Sequence, residues 1–415
     1  MKNNIIILKE ETLNQTIYEN LHNGKLMDGV FSIIDKREDR KTFIARDKHG
    51  IKKLFYIIKK NRIYASENFL DLYKKTGINK IFSLRPGYSL ILGNNQKKIF
   101  RKIQYSNYDY KKNFNSNFAK NKILKVLKNI KKLEKTNVCN ILLSGGLDST
   151  VIAFLSKKIF KKVNAISCVF LNAHDFKIYK KKGVINEDNY KDFTNARSIA
   201  KKLKINFFPI ILPLPSVLLN LKKVMYLIQD WRDFNVHCGV LNYKISKFIE
   251  KKKFKYSPIF TGDFMNECFA DYENEIVNGK VYYKQLNIST YLRSKFLING
   301  LQSSDRENGI FSKKKLKIYQ PYFCLLDNFK AVNKTFFKKN NKYSFMGKIL
   351  PQELLKLVGK QKRRAQITDN DGGILNYFVR NKIDQKELIK IFSKKFNIKT
   401  SWIKKFIIFG KYLEE

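Results

Sequence analysis

Cysteine is scarce in this chain: five stand singly among 415 residues, at Cys139, Cys168, Cys238, Cys268 and Cys324, with no CxxC pair. That scarcity excludes a cysteine-built zinc site and a disulfide framework, and it fits a reducing, cytoplasmic setting. Long apolar runs are missing too. The opening MKNNIIILKEETLNQ holds too short an apolar stretch for a signal peptide, and the most apolar later segment, FFPIILPLPSVLL, is broken by three prolines. No membrane span is expected. The four histidines, His22, His49, His174 and His237, show no pairing and read as structural. No internal repeat of fixed period is visible.

Acid is scarce relative to base: 35 acidic residues face 83 basic ones, for a net charge of +48. Such an excess ordinarily suggests an anionic partner. Here the lysines are scattered in short runs such as KKIFKK, alongside abundant Asn, Ile, Phe and Tyr, the combination that AT-rich codons produce. A nucleic-acid interface is a clustered basic face, so nucleic acid is not an expected partner. The charge sets solubility and steering.

What is present is a change of rhythm along the chain. Residues 1–104 alternate short β-type runs (VFSIID, TFIARD, KLFYIIK, RIYAS, YSLILG) with turn signals such as RPGY, and predict a small β-rich domain. The polar stretch 105–122 reads as a linker. In the remainder, 123–415, strands alternate with helices from Val138 to about Asp263: VCNILLS, VNAISCVF, INFFPIIL and YSPIFTGD, separated by segments of helical periodicity. That alternation predicts an α/β fold with a parallel sheet covered by helices on both faces, and the rest of the chain is helical by pattern.

In such sheets ligands bind beyond the carboxyl ends of the strands. Two polar loops fall at that edge, SGGLDST (Ser144–Thr150) and TGDFMNE (Thr261–Glu267). The first joins a strand to a helix, whose N-terminus leaves backbone N–H groups unpaired and carries about half a positive charge, a natural seat for phosphate. Gly145 and Gly146 let backbone approach an anion closely. Asp148 and Asp263 offer oxygens suited to Mg²⁺, which takes a few carboxylates plus substrate phosphates, and Asn266 or Glu267 could assist.

SGGLDS after a strand resembles the PP-loop of ATP pyrophosphatases, enzymes that split ATP between its α and β phosphates. Within that superfamily the chain most resembles glutamine-hydrolysing asparagine synthetases. TGDFMNECFADY is similar to the family's SGEGSDEVFGGY, DRENGIFSKKKLKIYQPYFCLLD to its DR segment and P-F-L-D stretch, and GKQKRRAQ to its R-Q-K-E-A-F run. In the first domain LMDGVFSIID, ARDKHGIKKLFY, YASE and LRPGYSL look like the family's glutaminase-domain motifs. The resemblance implies a PP-loop (adenine nucleotide alpha hydrolase-like) synthetase domain over 123–415, preceded by a truncated class II glutamine amidotransferase-like domain over 1–104.

The resemblance also assigns roles. Ser144, Gly145, Gly146, Asp148 and Ser149 would hold pyrophosphate and its metal, while Leu142, Val169, Thr261 and Gly262 match positions that seat adenosine. Asp148 and Asn266 match the metal ligands, although the family has aspartate where Asn266 stands. Asp263 replaces the family's glutamate as proton acceptor, and Lys362 matches its catalytic lysine. The implied activity is AMP-forming amide ligation: ATP and Mg²⁺ adenylate a carboxylate, aspartate by default, and ammonia or an amine displaces AMP. The family's nucleophilic cysteine after Met1 is absent, so glutamine hydrolysis is not expected, and nitrogen comes from ammonia, a separate glutaminase subunit or an amine on the substrate. The region between Tyr272 and Gln320 would specify the acceptor, and Tyr319 stands there in place of an arginine. Other readings stay open: a β-lactam synthetase- or lasso-cyclase-like ligase, a tRNA-modifying PP-loop enzyme, a non-catalytic partner subunit, and a homodimeric assembly.

Overall fold

The computed structural model describes residues 19, 31–36, 42–60, 62–78, 80–92, 98–103, 114–277, 279–299, 303–359 and 373–401. The chain divides into two compact units, Met1–Asp109 with Ile389–Glu415, and Tyr110–Leu388.

The smaller unit is β-rich, as its alternating runs predict. Its strands are β1 (Ser32–Lys36), β2 (Thr42–Arg46), β3 (Phe55–Lys59), β4 (Arg62–Ser66), β5 (Phe82–Ser83), β6 (Tyr88–Leu92) and β7 (Lys98–Lys102). They form two antiparallel sheets, ordered β1-β2-β6-β7 and β4-β3-β5. Ile44, Leu54, Tyr56, Ile63, Leu84 and Leu90 fill a core between them. The motif ARDKHGIKKLFY has a structural use. The buried Arg46 guanidinium donates to the carbonyls of Gly50 (2.8 Å), Lys52 (2.6 Å) and Leu84 (2.8 Å). Asp47 accepts from the backbone N–H groups of His49, Ile51 and Lys52. Gly50 closes this turn at φ +64°, where a Cβ would lie 2.7 Å from Pro86 Cγ.

The larger unit holds a five-stranded sheet in the order β10-β9-β8-β11-β14, from β8 (Val138–Leu142), β9 (Lys162–Leu171), β10 (Asn206–Pro213), β11 (Ile259–Phe260) and β14 (Ile318–Tyr319). Every pairing in it is parallel. A hairpin, β12 (Glu275–Val277) with β13 (Lys280–Tyr282), lies outside the sheet. The register is marked by an amide ladder. Asn206 Nδ2 donates to Asn164 Oδ1 and Asn164 Nδ2 to Asn140 Oδ1, both at 3.0 Å, and Asn140 Nδ2 donates to the Phe254 carbonyl at 3.1 Å. A one-residue slip between neighbouring strands would break the buried Asn164–Asn140 bond and the part-buried bond from Asn206, so the ladder specifies pairing as well as stabilising it.

Alternate strand residues face opposite sides. Cys139, Ile141, Val163 and Ala165 join one core with residues of the helices Ser116–Leu133, Leu147–Lys157 and Lys191–Lys202. Asn140 points the other way, toward the chain that follows the helix Asp233–Glu250. Helices therefore cover both faces. The polar segment read as a linker is already helical from Ser116: Asn115 caps the N–H of Phe118, and Ala119, Ile123, Leu127 and Ile130 form the buried stripe. Sparse apolar residues at the right spacing outweigh the polar composition. No described helix is long and apolar enough to cross a membrane.

Candidate active site

The first loop leaves β8 at Leu142 and enters the helix Leu147–Lys157. Gly145 adopts φ +83°, and a Cβ there would sit 2.1 Å from the Asp192 carbonyl and 2.9 Å from Ala196 N. Glycine is required twice over, by conformation and by the close approach of the helix Lys191–Lys202. Gly146 is the N-cap and offers no capping side chain. The hydroxyls brace the loop: Ser144 N donates to Ser149 Oγ (3.1 Å), Ser149 Oγ to the Gly146 carbonyl (3.1 Å), and Thr150 Oγ1 to the same carbonyl (2.8 Å). With no side chain over the cap, the helix N-terminus remains the positive end that an anion would meet.

The second loop lies against the first. A Cβ on Gly262 would meet Ser149 N at 2.7 Å and Asp148 C at 2.9 Å, so only glycine permits the two backbones to touch. Thr261 Oγ1 donates to Glu307 Oε1 (2.9 Å), and Glu307 Oε2 accepts from Gln320 Nε2 (2.9 Å). Asp263 Oδ2 pairs with Arg306 Nη2 at 2.8 Å, and Arg306 Nη1 donates to Asn235 Oδ1 at 3.0 Å. Burial, and then the nearby Asp263 charge, push the Glu307 carboxyl up to about 8. Phe264 adopts φ +101°, and its ring stacks on Phe323 with centroids 4.5 Å apart.

A third segment completes the site. Lys342 opens the helix Lys342–Met346, and its buried ammonium lies 3.2 Å from Asp148 Oδ2, 2.6 Å from Asn266 Oδ1 and 2.6 Å from Asp271 Oδ2. Burial works against its charge, but Asp148 and Asp271 overcome that and hold the group above its ordinary range. The Tyr322 hydroxyl donates to the Asp148 carbonyl at 2.8 Å. Asp148 Oδ1 is buried without a hydrogen-bond partner.

The structure thus brings Ser144, Gly145, Gly146, Asp148, Ser149, Thr261, Gly262, Asp263 and Asn266 to one edge of the sheet. Leu142 is half-buried at the end of β8, whereas the Val169 side chain packs with Leu171, Ile185, Tyr190 and Phe193. Lys362 lies outside the described residues. Reading the sequence alone missed the parts of Lys342, Asp271, Tyr322 and Glu307. The DR segment carried a signal for Arg306, since the resemblance singled it out. Nothing distinguished Lys342 from the many other lysines.

Residues 130–322 match the family model described as Asparagine synthase. A glutamine-hydrolysing asparagine synthetase of Gallus gallus is 23% identical over 273 residues, covering 60% of this chain and 46% of that protein. The chain therefore spans about half the length of this relative. Among solved structures, the NMN synthetase of Francisella tularensis is 14% identical with a TM-score of 0.30, covering 73% of this chain and 99% of that one. The NH3-dependent NAD synthetase of Campylobacter jejuni is 14% identical with a TM-score of 0.28, covering 59% and 92%. Both loops, Ser144–Thr150 and Thr261–Glu267, fall within the stretch 130–322 that matches the Asparagine synthase family model.

Proposed function

We propose that this chain is an ATP-dependent, AMP-forming carbon–nitrogen ligase that amidates a small carboxylate, with aspartate the default acceptor. The observation that carries the reading is the contact of Gly262 with the backbone of Asp148 and Ser149, which joins the two loops at the N-terminus of the helix Leu147–Lys157. Phosphates seated there meet backbone N–H groups and the helix dipole. A carboxylate oxygen attacks the α phosphorus and pyrophosphate departs. The nitrogen of ammonia or an amine then attacks the acyl carbon, AMP leaves with the bridging oxygen, and the nitrogen gives up a proton. Asp263 is the carboxylate nearest in role to accept that proton, with Arg306 fixing one of its oxygens. Mg²⁺ carried on the phosphates would supply charge neutralisation there.

Three of the chain's five cysteines fit a donor other than glutamine. Burial pushes the thiols of Cys139, Cys168 and Cys268 up, the opposite of activation. Purified protein incubated with ATP, Mg²⁺, ammonia and a panel of carboxylic acids should release pyrophosphate and AMP, and exclusive formation of ADP would overturn the reading. Asp148→Ala should abolish pyrophosphate release, and full activity in that variant would place the site elsewhere. Lys362→Ala should leave ATP binding nearly intact yet lower turnover by about a hundredfold to a thousandfold, the usual effect of losing one charge-stabilising donor.

A further inference from the structure

The resemblance pairs Asp148 with Asn266 as metal ligands, and the structure does bring their oxygens together, but around an ammonium. Lys342 Nζ has three N–H donors and three oxygen partners, Asp148 Oδ2, Asn266 Oδ1 and Asp271 Oδ2, at 3.2, 2.6 and 2.6 Å. An Mg²⁺ ion needs its oxygens at about 2.0–2.1 Å in octahedral array. The same oxygens cannot serve both cations. Among the described residues, moreover, no group of three His, Cys, Asp or Glu side chains is placed to hold a metal. A metal held between Asp148 and Asn266 does not fit the residues present.

We infer that the Lys342 ammonium is a protein-supplied cation filling the position between the two loops that Asp148 and Asn266 would otherwise offer to a divalent ion. The amide at 266 follows from the charges. One ammonium faces two carboxylates already, and a third would leave more buried negative charge without compensation. Asn266 instead gives Lys342 a neutral acceptor. The first loop's Asp148 therefore meets a fixed ammonium before any nucleotide arrives, and divalent metal enters only on the phosphates.

The inference deepens the ATP-site reading above, yet its test contains no nucleotide, so a chain that failed to cleave ATP would leave the result unaffected. Mn²⁺ is titrated into the purified full-length protein and the free-ion signal followed by electron paramagnetic resonance, for the parent, Asn266→Asp and Asn266→Asp/Lys342→Ala. Parent and Asn266→Asp should take up no Mn²⁺, because the ammonium remains in place. The double variant should take up one ion per chain. Stoichiometric binding by the parent or by Asn266→Asp, abolished by Asp148→Asn, would overturn the inference. So would a double variant that melts cooperatively yet binds no Mn²⁺. If removing Lys342 prevents folding, the parent and Asn266→Asp titrations still decide.

Discussion

Each of the two loops places one residue at positive φ, and they fill that place in opposite ways. Gly145 stands at φ +83° with the Asp192 carbonyl where its Cβ would be. Phe264 stands at φ +101°, where the family motif quoted above has glycine, and its ring is buried against Phe323. A bulky side chain at such a φ is a strained conformation, worth about 1–3 kcal/mol, whereas burying a phenylalanine returns about as much through apolar transfer alone. The difference teaches that positive φ by itself does not demand glycine. In the first loop lack of space forbids a side chain; in the second the side chain's own packing offsets the strain.

That comparison can be broken experimentally. Gly145→Ala adds both overpacking and strain, each about 1–3 kcal/mol, so thermal or denaturant unfolding should show a combined loss near the top of that range or beyond. A neutral substitution would mean the two helices are not held as close as described. Phe264→Ala should cost about 3–5 kcal/mol by emptying a buried aromatic position. Phe264→Gly empties the same space but releases the strained φ, so it should be the more stable of the two by about 1 kcal/mol, after allowing for glycine's backbone entropy. An alanine variant as stable as the glycine variant would show that Phe264 is not strained.

A separate effect concerns pH and the polar network that includes Asp263, the residue before Phe264. Glu307 is pushed up to about 8 by burial and then by Asp263, against the lowering effect of Arg306. The folded state thus binds its proton more tightly than the unfolded state. A raised carboxyl contributes stability that is fully present below its unfolded value, and that contribution declines as pH rises to about 8. Glu307→Gln should flatten the fall in unfolding free energy across that window. An unchanged slope would assign the dependence to another group.

Much of this was legible beforehand. The alternation of apolar runs and helical periodicity foretold the parallel strands β8 to β11, because each is a run of mostly apolar residues set between helical segments. In the sequence Gly145 and Gly146 read as letting backbone approach an anion; the close approaches seen at Gly145 and Gly262 are to other protein backbone. Three features were hidden. The strand β14 pairs through only Ile318 and Tyr319, too short to show a period. The helix at Ser116 was masked by polar composition. Lys342 reaches Asp148 across 194 positions, and long-range pairing of one lysine among so many leaves no local trace.

That separation has a consequence for biosynthesis. The strands β8 to β11 are complete once the chain reaches Phe260, but the hydroxyl on the Asp148 carbonyl comes from Tyr322 and the ammonium on its carboxylate from Lys342. At roughly 5–20 residues per second of synthesis, the loop waits on the order of 10–40 s for its last partner. Through that interval the Asp148 carboxylate lacks the cation that holds it in the finished protein. The loop Ser144–Thr150 is therefore made early and finished late, and a nascent chain stopped short of Lys342 would present strands β8 to β11 without the loop's last partner.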